Sequence, residues 1–290
     1  MEQPLVSVLM TSFNREKYIA QAIESVLNST YHNLELIIVD DGSKDKTIHI
    51  ALSFADLDKR VKVFKNLLNL GDYPNRNKAA SYAQGKYLKF VDADDMIYPH
   101  GLEVMVNMME NFPDAGYGLC SIQQDKDAIF PFELGPADAY RYHYFKGMTI
   151  FNGAPLSSLI KKEAFDAVNG FTGKRMVGDY ELWHRLSLQF PVVVMPTALV
   201  WYRHHDEQES NQRSVFLLDA LTIAEQAIAS SLLTEKEKEI LLNKIHRNMF
   251  AKLLKNPMKM PLKSRWQFFK GSPIKLTKLL SDRGKSSLIS

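Results

Sequence analysis

The first 111 residues alternate between short apolar runs and longer amphipathic segments, and this alternation limits the fold more than any other feature. Four apolar runs predict strands, over 6–10, 36–39, 61–64 and 87–91. Four segments with helical spacing or caps predict helices, over 16–27, 45–55, 72–84 and 99–111. Continuously apolar strands that alternate with helices form a mostly parallel sheet covered on both faces. The sequence therefore predicts an α/β fold.

Polar residues follow three of these strands where each strand ends, over 11–14, 40–43 and 92–95. They include five aspartates, which are Asp40, Asp41, Asp92, Asp94 and Asp95. In parallel sheets the carboxyl ends of the strands form one edge, and ligands bind there. Because crowded carboxylates repel, a hard divalent cation that bridges them to a diphosphate is the leading prediction. The chain lacks GxGxxG and GxxxxGK[ST] loops, which argues against dinucleotide redox enzymes and P-loop kinases.

Three segments in this order resemble the family-2 glycosyltransferases, namely SVLMTSFN from Ser7, IVDDGS from Ile38 and GKYLKFVDADD from Gly85. The resemblance is to inverting enzymes of bacterial polysaccharide biosynthesis with the GT-A fold, a mostly parallel Rossmann-like sheet flanked by helices. It implies transfer of a hexose or N-acetylhexosamine from a nucleoside diphosphate sugar to a hydroxyl of a glycan or lipid-linked acceptor. A UDP sugar is the expected donor. A divalent metal, Mn²⁺ or Mg²⁺, is the implied cofactor.

The resemblance also implies how the chain is divided. Residues 1–212 would form the GT-A catalytic domain, with a nucleotide-sugar-binding half at 1–111 and an acceptor-binding half at 112–212. Residues 213–290 are predicted as a helical, basic C-terminal extension. Residues 113–150 contain seven Tyr and Phe without a clear period, so they form either a satellite core or part of the acceptor pocket.

Several residues take donor-binding roles by their position in the resembling segments. Thr11, Phe13 and Asn14 would line the nucleotide pocket. Asp41 would accept a hydrogen bond from the base, and Asp40 would support the turn. For Phe13, ordinary core packing is the alternative interpretation.

Four further residues are implied to bind the diphosphate or the metal. Arg76 would face the diphosphate or the sugar, with Asn77 near it, although a surface cation on the helix is the alternative for Arg76. Asp92 and Asp94 form the DxD pattern. Asp94 is the first choice for direct metal contact. Asp92 is assigned to the ribose or the sugar, and it is the second candidate for metal contact.

The segment around residue 200 adds a cation and an imidazole. By the register of the resemblance, His205 would reach the metal or the diphosphate, and Arg203 would neutralise phosphate charge. Solvated loop residues are the alternative for both.

The segment from Val177 to Leu186 contains the predicted general base. The family usually has an acidic pair here, but Gly178 stands at the first acidic position and only Asp179 remains. The resemblance implies that Asp179 takes the proton from the acceptor hydroxyl, a role that typically contributes ~10²–10⁴-fold. The alternative is an acid favoured by the helix dipole. Glu181 is predicted to be structural.

The net charge of +3 is unevenly distributed along the chain. Residues 244–290 contain 12 Lys and Arg and one Asp, a charge of +11, which leaves −8 for residues 1–243. Basic amphipathic segments with aromatic residues are typical of binding to an anionic membrane surface. A solvated helix packed on the catalytic domain is the alternative. Nucleic acid is not expected as a partner, because no binding module is present and the body is acidic.

Location and competing functions follow from what the sequence lacks. Cys120 has no partner for a disulfide, and neither a signal peptide nor a span of ~20 apolar residues is found. We therefore expect a cytoplasmic protein, peripheral on the inner membrane face. A nucleotidyltransferase, a glycoside hydrolase and a non-catalytic glycan-binding or scaffold protein are the competing functions. The DxD pattern argues against the hydrolase.

Overall fold

The computed structural model describes residues 3–205 and 217–255. The chain divides into two units, Met1–Gln208 and Glu209–Ser290. The predicted domain boundary at residue 212 lies outside the described residues, as does the greater part of the basic segment. Within the described ranges, no helix combines the length and apolarity that a membrane span requires.

The first unit is built from alternating strands and helices. Its described strands are β1 (Val6–Ser12), β2 (Leu34–Asp40), β3 (Val61–Lys65), β4 (Tyr87–Phe90), β5 (Met96–Ile97), β6 (Tyr117–Leu119), β7 (Phe132–Leu134), β8 (Ser158–Lys161), β9 (Val192–Val194) and β10 (Val200–Trp201). Its described helices are α1 (Ile19–Leu27), α2 (Thr47–Leu57), α3 (Asp72–Ser81), α4 (Gly101–Glu110), α5 (Pro136–Tyr144), α6 (Lys162–Ala167) and α7 (Gly178–Gln189).

Eight strands form one sheet in the order β3-β2-β1-β4-β8-β6-β9-β7. The pairs among β3, β2, β1 and β4 are parallel, as predicted for the first half of the chain. Strand β8 runs antiparallel to both β4 and β6, so β6 points the same way as β4. The carboxyl ends of β1, β2, β4, β6 and β9 therefore lie at one edge of the sheet.

The core follows from the pleat of the central strands. Every second residue of β1 points to the same face of the sheet. On one face, Val6, Val8 and Met10 join a buried cluster with residues of α1 and α4. Helix α3 covers the other face with buried Ala79 and Ala80, whose small side chains let the helix approach the strands. Helices on both faces are what continuously apolar parallel strands require.

A two-stranded antiparallel ribbon connects the end of the unit to the edge of the sheet. Val200 of β10 pairs with Ile97 of β5, and Trp201 pairs with Met96. Gly101 permits this approach, because a Cβ there would lie 2.1 Å from the carbonyl oxygen of Leu199. The ribbon brings the segment after β10 beside the segment that follows β4.

The described part of the second unit contains α8 (Leu217–Ser230) and α9 (Glu235–Lys255), which pack on each other. Thr234 and Glu237 form a reciprocal capping box at the start of α9. The Thr234 N–H donates to Glu237 Oε2 at 2.8 Å, and the Glu237 N–H donates to Thr234 Oγ1 at 3.3 Å. These reciprocal bonds satisfy two backbone N–H groups at the start of the helix.

Candidate active site

Asp40, at the end of β2, holds the turn that follows it. Its buried carboxylate accepts the N–H groups of Ser43 at 2.9 Å and Gly42 at 3.2 Å, and the hydroxyl of Ser12 at 3.3 Å. Gly42 has a φ of +83°, a conformation that favours glycine. The turn is therefore tied to β1, in the supporting arrangement expected for Asp40.

Asp41 is only 4% exposed, and its carboxylate is engaged by the loop after β3. It accepts Asn66 Nδ2 at 2.7 Å, the Leu70 N–H at 2.8 Å and the Gly71 N–H at 2.9 Å. Asn66 also donates to Asn75 Oδ1 at 2.9 Å. These contacts order the loop that leads into α3. The role expected for Asp41, a hydrogen bond with the base, stays a prediction.

Phe13 and Asn14 lie at the end of β1. Phe13 is 43% exposed, so it is not a core residue, and an aromatic face is presented at the edge of the sheet. Asn14 has a φ of +52°, which Asn tolerates better than most residues. Its Oδ1 accepts the Lys44 N–H at 2.9 Å, and its N–H donates to Ser43 Oγ at 2.9 Å. Asn14 therefore joins the ends of β1 and β2.

Arg76, on α3, forms a two-pronged ion pair with Asp92 after β4. Nη1 lies 2.8 Å from Asp92 Oδ1, and Nη2 donates to Oδ2 at 2.9 Å. Nε donates to Asp72 Oδ1 at 2.7 Å. Burial opposes the charge, but the carboxylates of Asp72 and Asp92 outweigh it and hold the pKa of Arg76 well above its ordinary value. Arg76 is thus buried in the site, and the interpretation as a surface cation is wrong. Thr11 lies beside this pair, with Oγ1 3.5 Å from Asp92 Oδ1.

Asp94 is the meeting point of three basic side chains. Its Oδ2 lies 2.9 Å from Arg15 Nε and 3.0 Å from His205 Nε2. Its backbone carbonyl accepts Arg203 Nε at 2.8 Å. Arg203 also donates its backbone N–H to Asp95 Oδ1 at 2.9 Å. The structure therefore brings Asp94, Arg203 and His205 together, and it adds Arg15, which sequence reasoning missed. The roles expected for Asp94, Arg203 and His205 towards the metal and the diphosphate stay predictions.

Asp94 and His205 are residues at this edge that could contribute ligands to a divalent metal. Among residues 3–205 and 217–255, no group of three or more His, Cys, Asp or Glu side chains is close enough to hold an ion by itself. Asp94 and His205 form a pair, and the buried Nδ1 of His205 has no hydrogen-bond partner among the described residues. A cation that keeps water and takes substrate phosphate oxygens needs only one or two protein ligands. The Asp94–His205 pair fits such a cation.

Two buried titratable groups lie beneath this edge of the sheet. Burial, followed by the charge of Asp92, raises the pKa of the Asp95 carboxyl to about 7. Lys89 of β4 is completely buried, and its Nζ donates to the carbonyl oxygens of Leu156 and Ser158. Burial lowers the pKa of Lys89 to about 8. Neither residue was singled out from sequence for such an environment.

Asp179 lies in the first turn of α7. Its Oδ1 accepts the N–H of Tyr180 at 2.7 Å, and its own N–H faces the hydroxyl oxygen of Tyr73 at 3.4 Å. Tyr73 and Arg76 are three residues apart on α3, so they share one face of that helix. One turn of α3 therefore connects Asp179 to the Arg76–Asp92 pair.

Asn77 contacts the segment before α7. Its Nδ2 donates to the carbonyl oxygen of Phe171 at 2.8 Å, and its Oδ1 accepts the Phe171 N–H at 2.9 Å. Glu181 contacts the Thr172 hydroxyl and lies 2.9 Å from Lys174 Nζ. This matches the structural role expected for Glu181. The donor-binding role of Asn77 stays a prediction.

The aromatic segment before residue 150 packs behind α7. The Tyr144 hydroxyl lies 2.8 Å from His184 Nε2 and 2.9 Å from the Tyr180 hydroxyl. Tyr140 donates to the carbonyl oxygen of His184 at 3.0 Å. Burial lowers the pKa of His184 to about 4, so its imidazole is neutral at physiological pH. For Tyr140 and Tyr144, the structure favours the satellite-core interpretation over acceptor contact.

Comparison with known proteins identifies the family. Residues 7–175 match the sequence profile described as Glycosyl transferase family 2. The chain belongs to this family. An uncharacterized glycosyltransferase of Haemophilus influenzae is 30% identical over 224 residues, which are 72% of this chain and 68% of that protein. The Escherichia coli UDP-Glc:alpha-D-GlcNAc-diphosphoundecaprenol beta-1,3-glucosyltransferase WfgD is 40% identical over 109 residues, 38% of this chain and 42% of that protein.

Solved structures of two glycosyltransferases share the fold. TarS of S. aureus in complex with UDP-GlcNAc gives a TM-score of 0.69 at 18% identity, over 91% of this chain and 78% of that one. A mannosyltransferase from Pyrobaculum calidifontis in complex with GDP-Man and Mn²⁺ gives 0.63 at 16% identity, over 100% and 82%. The predictions of a glycosyltransferase-family enzyme and of a GT-A fold are confirmed.

Proposed function

We propose that this family-2 glycosyltransferase transfers a sugar from a nucleoside diphosphate sugar, with UDP as the expected nucleotide, to a hydroxyl of a glycan or lipid-linked acceptor. The reaction is proposed to invert C1 and to depend on Mn²⁺ or Mg²⁺. The observation that carries the proposal is the meeting of Asp92 and Asp94 with Arg76, Arg15 and His205 at the carboxyl edge of the sheet. Carboxylates and guanidinium groups at one edge match a metal-bound diphosphate.

The relatives support particular substrates. The name of the E. coli relative specifies UDP-Glc and a diphosphoundecaprenol-linked GlcNAc acceptor. The TarS structure contains UDP-GlcNAc, whereas the P. calidifontis structure contains GDP-Man. UDP sugars are therefore the first donors to test and GDP-mannose the next, with lipid-linked glycans as the first acceptors.

The charges of the site suit the departing nucleotide. Arg76 and Arg15 are proposed to bind the diphosphate oxygens, for which the planar guanidinium provides paired donors. Asp94 and His205 are proposed to hold the divalent metal. Asp92 is proposed as a further ligand. When bound, that metal supplies neutralisation of the charge that develops on the leaving diphosphate.

Asp179 is proposed as the general base of the transfer. Its carboxylate takes the proton from the acceptor hydroxyl while that oxygen forms a bond to C1 of the sugar. The bond between C1 and the diphosphate oxygen breaks at the same time, and its electron pair leaves with the nucleotide. Attack from the side opposite the leaving group inverts C1.

A donor screen tests this function. The full chain is incubated with UDP, GDP, dTDP and CDP sugars, each with Mn²⁺, Mg²⁺ or EDTA, and nucleotide release is measured with and without a polyprenyl-diphosphate-linked GlcNAc acceptor. Metal-dependent release that the acceptor stimulates is expected with a UDP sugar. The absence of nucleotide release with every donor would refute the enzyme activity. Release in the presence of EDTA would refute the metal requirement. The anomeric configuration of the product, read by NMR, tests inversion.

Two carboxylate variants test the assigned roles. Asp179→Asn should lower kcat ~10²–10⁴-fold with donor binding retained. Asp94→Asn should weaken the dependence on Mn²⁺ and raise the KM for the donor. Asp166→Asn is a matched control, because this carboxylate is 56% exposed and pairs with Lys162 of the same helix at 2.6 Å. Full activity of Asp179→Asn would show that the base lies elsewhere.

We also propose that the basic segment 244–290 binds an anionic membrane surface and keeps a cytoplasmic enzyme on the inner membrane face. Its charge of +11 supports this. A variant in which the eight Lys and Arg of residues 256–290 are replaced by Gln leaves α9 unchanged. It should lose flotation with vesicles that contain anionic lipid. Equal flotation of both proteins would contradict the membrane proposal.

A further inference from the structure

The segment that leads into α7 is held against α3 by several independent contacts. Asn77 makes two hydrogen bonds with the backbone of Phe171, at 2.8 and 2.9 Å. Tyr73 stacks on the Phe171 ring with centroids 5.0 Å apart. The Tyr73 hydroxyl oxygen faces the Asp179 N–H at 3.4 Å, at the long end for a hydrogen bond. Tyr73 therefore touches both ends of the segment 171–179.

The ring of Tyr73 also occupies the space next to Gly178. A Cβ at position 178 would lie 2.7 Å from the Tyr73 Cε2 and Cζ atoms and 2.9 Å from Cδ2, distances that real Cβ atoms essentially never show. Gly178 is the residue that replaces the first acid of the family pattern. In this structure the Tyr73 ring fills the volume that any side chain at position 178 would need.

Tyr73 lies between Asp179 and the proposed donor-binding site, so it can determine the position of Asp179 relative to Asp92. Arg76 follows three residues later on the same helix, about 4.5 Å along its axis. Both terminal nitrogens of Arg76 pair with the carboxylate of Asp92. Tyr73 is 6% exposed. Burial, then the charges of Asp179 and Asp72, raises the pKa of Tyr73, so the phenol stays protonated and neutral.

We propose that Tyr73 is a positioning residue for the general base: it packs in the space left by Gly178 and fixes the start of α7, so that Asp179 faces the donor site held by Arg76. The inference rests on the proposed role of Asp179 and deepens it.

Single variants test the positioning role through kcat and KM. Tyr73→Phe keeps the ring and removes only the hydroxyl, and it should lower kcat about threefold to tenfold. Tyr73→Ala removes both contacts and should lower kcat about 10²-fold, the cost of a displaced catalytic group. The KM for the donor should stay within about twofold, because Arg76 and Asp92 are unchanged. Tyr82→Phe is the matched control. Tyr82 directly follows the last residue of α3, about 13 Å along the helix axis from Tyr73, and its ring stacks on Phe64.

A double-mutant cycle tests the packing itself. Gly178→Ala should lower kcat at least about tenfold when Tyr73 is present, because the added Cβ pushes the ring or α7 aside. In a Tyr73→Ala background the same substitution should cost less than about twofold. Thermal unfolding of each variant, with kcat measured well below the transition, separates loss of fold from loss of positioning.

The outcomes distinguish this inference from the function on which it rests. If Asp179→Asn is inactive while the Tyr73 variants keep wild-type kcat, or if Gly178→Ala costs the same in both backgrounds, the positioning role is overturned and the base assignment survives. If Asp179→Asn keeps full activity, the base assignment fails and the inference falls with it. A lower kcat at constant donor KM, together with coupling between residues 73 and 178, supports it.

Discussion

Lys89 provides the sharpest quantitative prediction, because an ammonium group is completely buried in the central sheet. It lies on β4, three residues before Asp92, and its Nζ donates to the carbonyl oxygens of Leu156 and Ser158. Burial lowers its pKa from 10.5 to about 8, although the nearby Cys120 and Asp95 partly oppose this. We predict that Lys89 makes the stability of the first unit rise with pH in alkaline solution.

The sign and size follow from proton linkage. Between pH 8 and 10.5 the unfolded chain still binds the proton that the native protein has released, so the free energy of unfolding increases with pH. At ~1.4 kcal/mol per pH unit, the increase between pH 7 and 10 amounts to about 2.5 kcal/mol. Lys89→Met lacks this contribution. Its stability relative to the wild type should therefore fall by that amount over the same range.

Urea unfolding of both proteins at pH 7, 8, 9 and 10, followed by tryptophan fluorescence, measures this difference. Cys120 titrates in the unfolded state of both proteins, so its effect largely cancels. Lys86→Met removes an ammonium that is 47% exposed near the same strand, and it controls for the loss of a lysine as such. A difference between wild type and Lys89→Met that stays constant from pH 7 to 10 would refute the reasoning.

Three further predictions concern single contacts. Asp41→Ala removes the acceptor of the Leu70 N–H and of one N–H of Asn66 Nδ2, and it should lower the free energy of unfolding by about 2–3 kcal/mol in urea. Thr234→Ala breaks the capping box and should cost about 1 kcal/mol, seen as an earlier melt by circular dichroism. Arg76→Lys keeps the charge but loses the paired bonds, so kcat/KM from nucleotide release should fall at least ~10-fold. Wild-type values in these assays would contradict the respective contacts.

The first strands and helices could be predicted from sequence because their apolar periodicity is a property of each segment alone. Their ends depend on partners. Strand β1 extends to Ser12 because Thr11 and Ser12 continue the ladder opposite Val39 and Asp40 of β2. Helix α3 ends at Ser81, three residues before its predicted end. The N–H groups of Tyr82 and Ala83 donate to the carbonyl oxygens three residues earlier, as in a 3₁₀ turn, and not to those four residues earlier.

The site was predicted less completely, because several of its contacts join distant segments. Arg15 carries no recognisable pattern in a polar loop, yet it pairs with Asp94, 79 residues away. The ribbon that delivers Arg203 has two residues in each strand, too few for any periodicity. Only the resemblance pointed to Arg203 and His205. The contact between Tyr73 and Gly178 likewise exists only after α3 and α7 have packed.

The structure also changes the argument from crowded carboxylates. Asp40 and Asp41 are satisfied by hydrogen bonds from the turn and the loop, so they do not require a cation. Asp92 and Asp94 each already pair with a guanidinium group, Asp92 with Arg76 through two bonds and Asp94 with Arg15 through one. Repulsion among the five aspartates is therefore not the reason to expect a metal. The case for a metal now depends on Asp94 with His205, whose carboxylate and imidazole offer two ligands and leave the remaining positions to substrate phosphate and water. Metal affinity should accordingly be weak for the chain alone and should increase strongly when a nucleoside diphosphate is added.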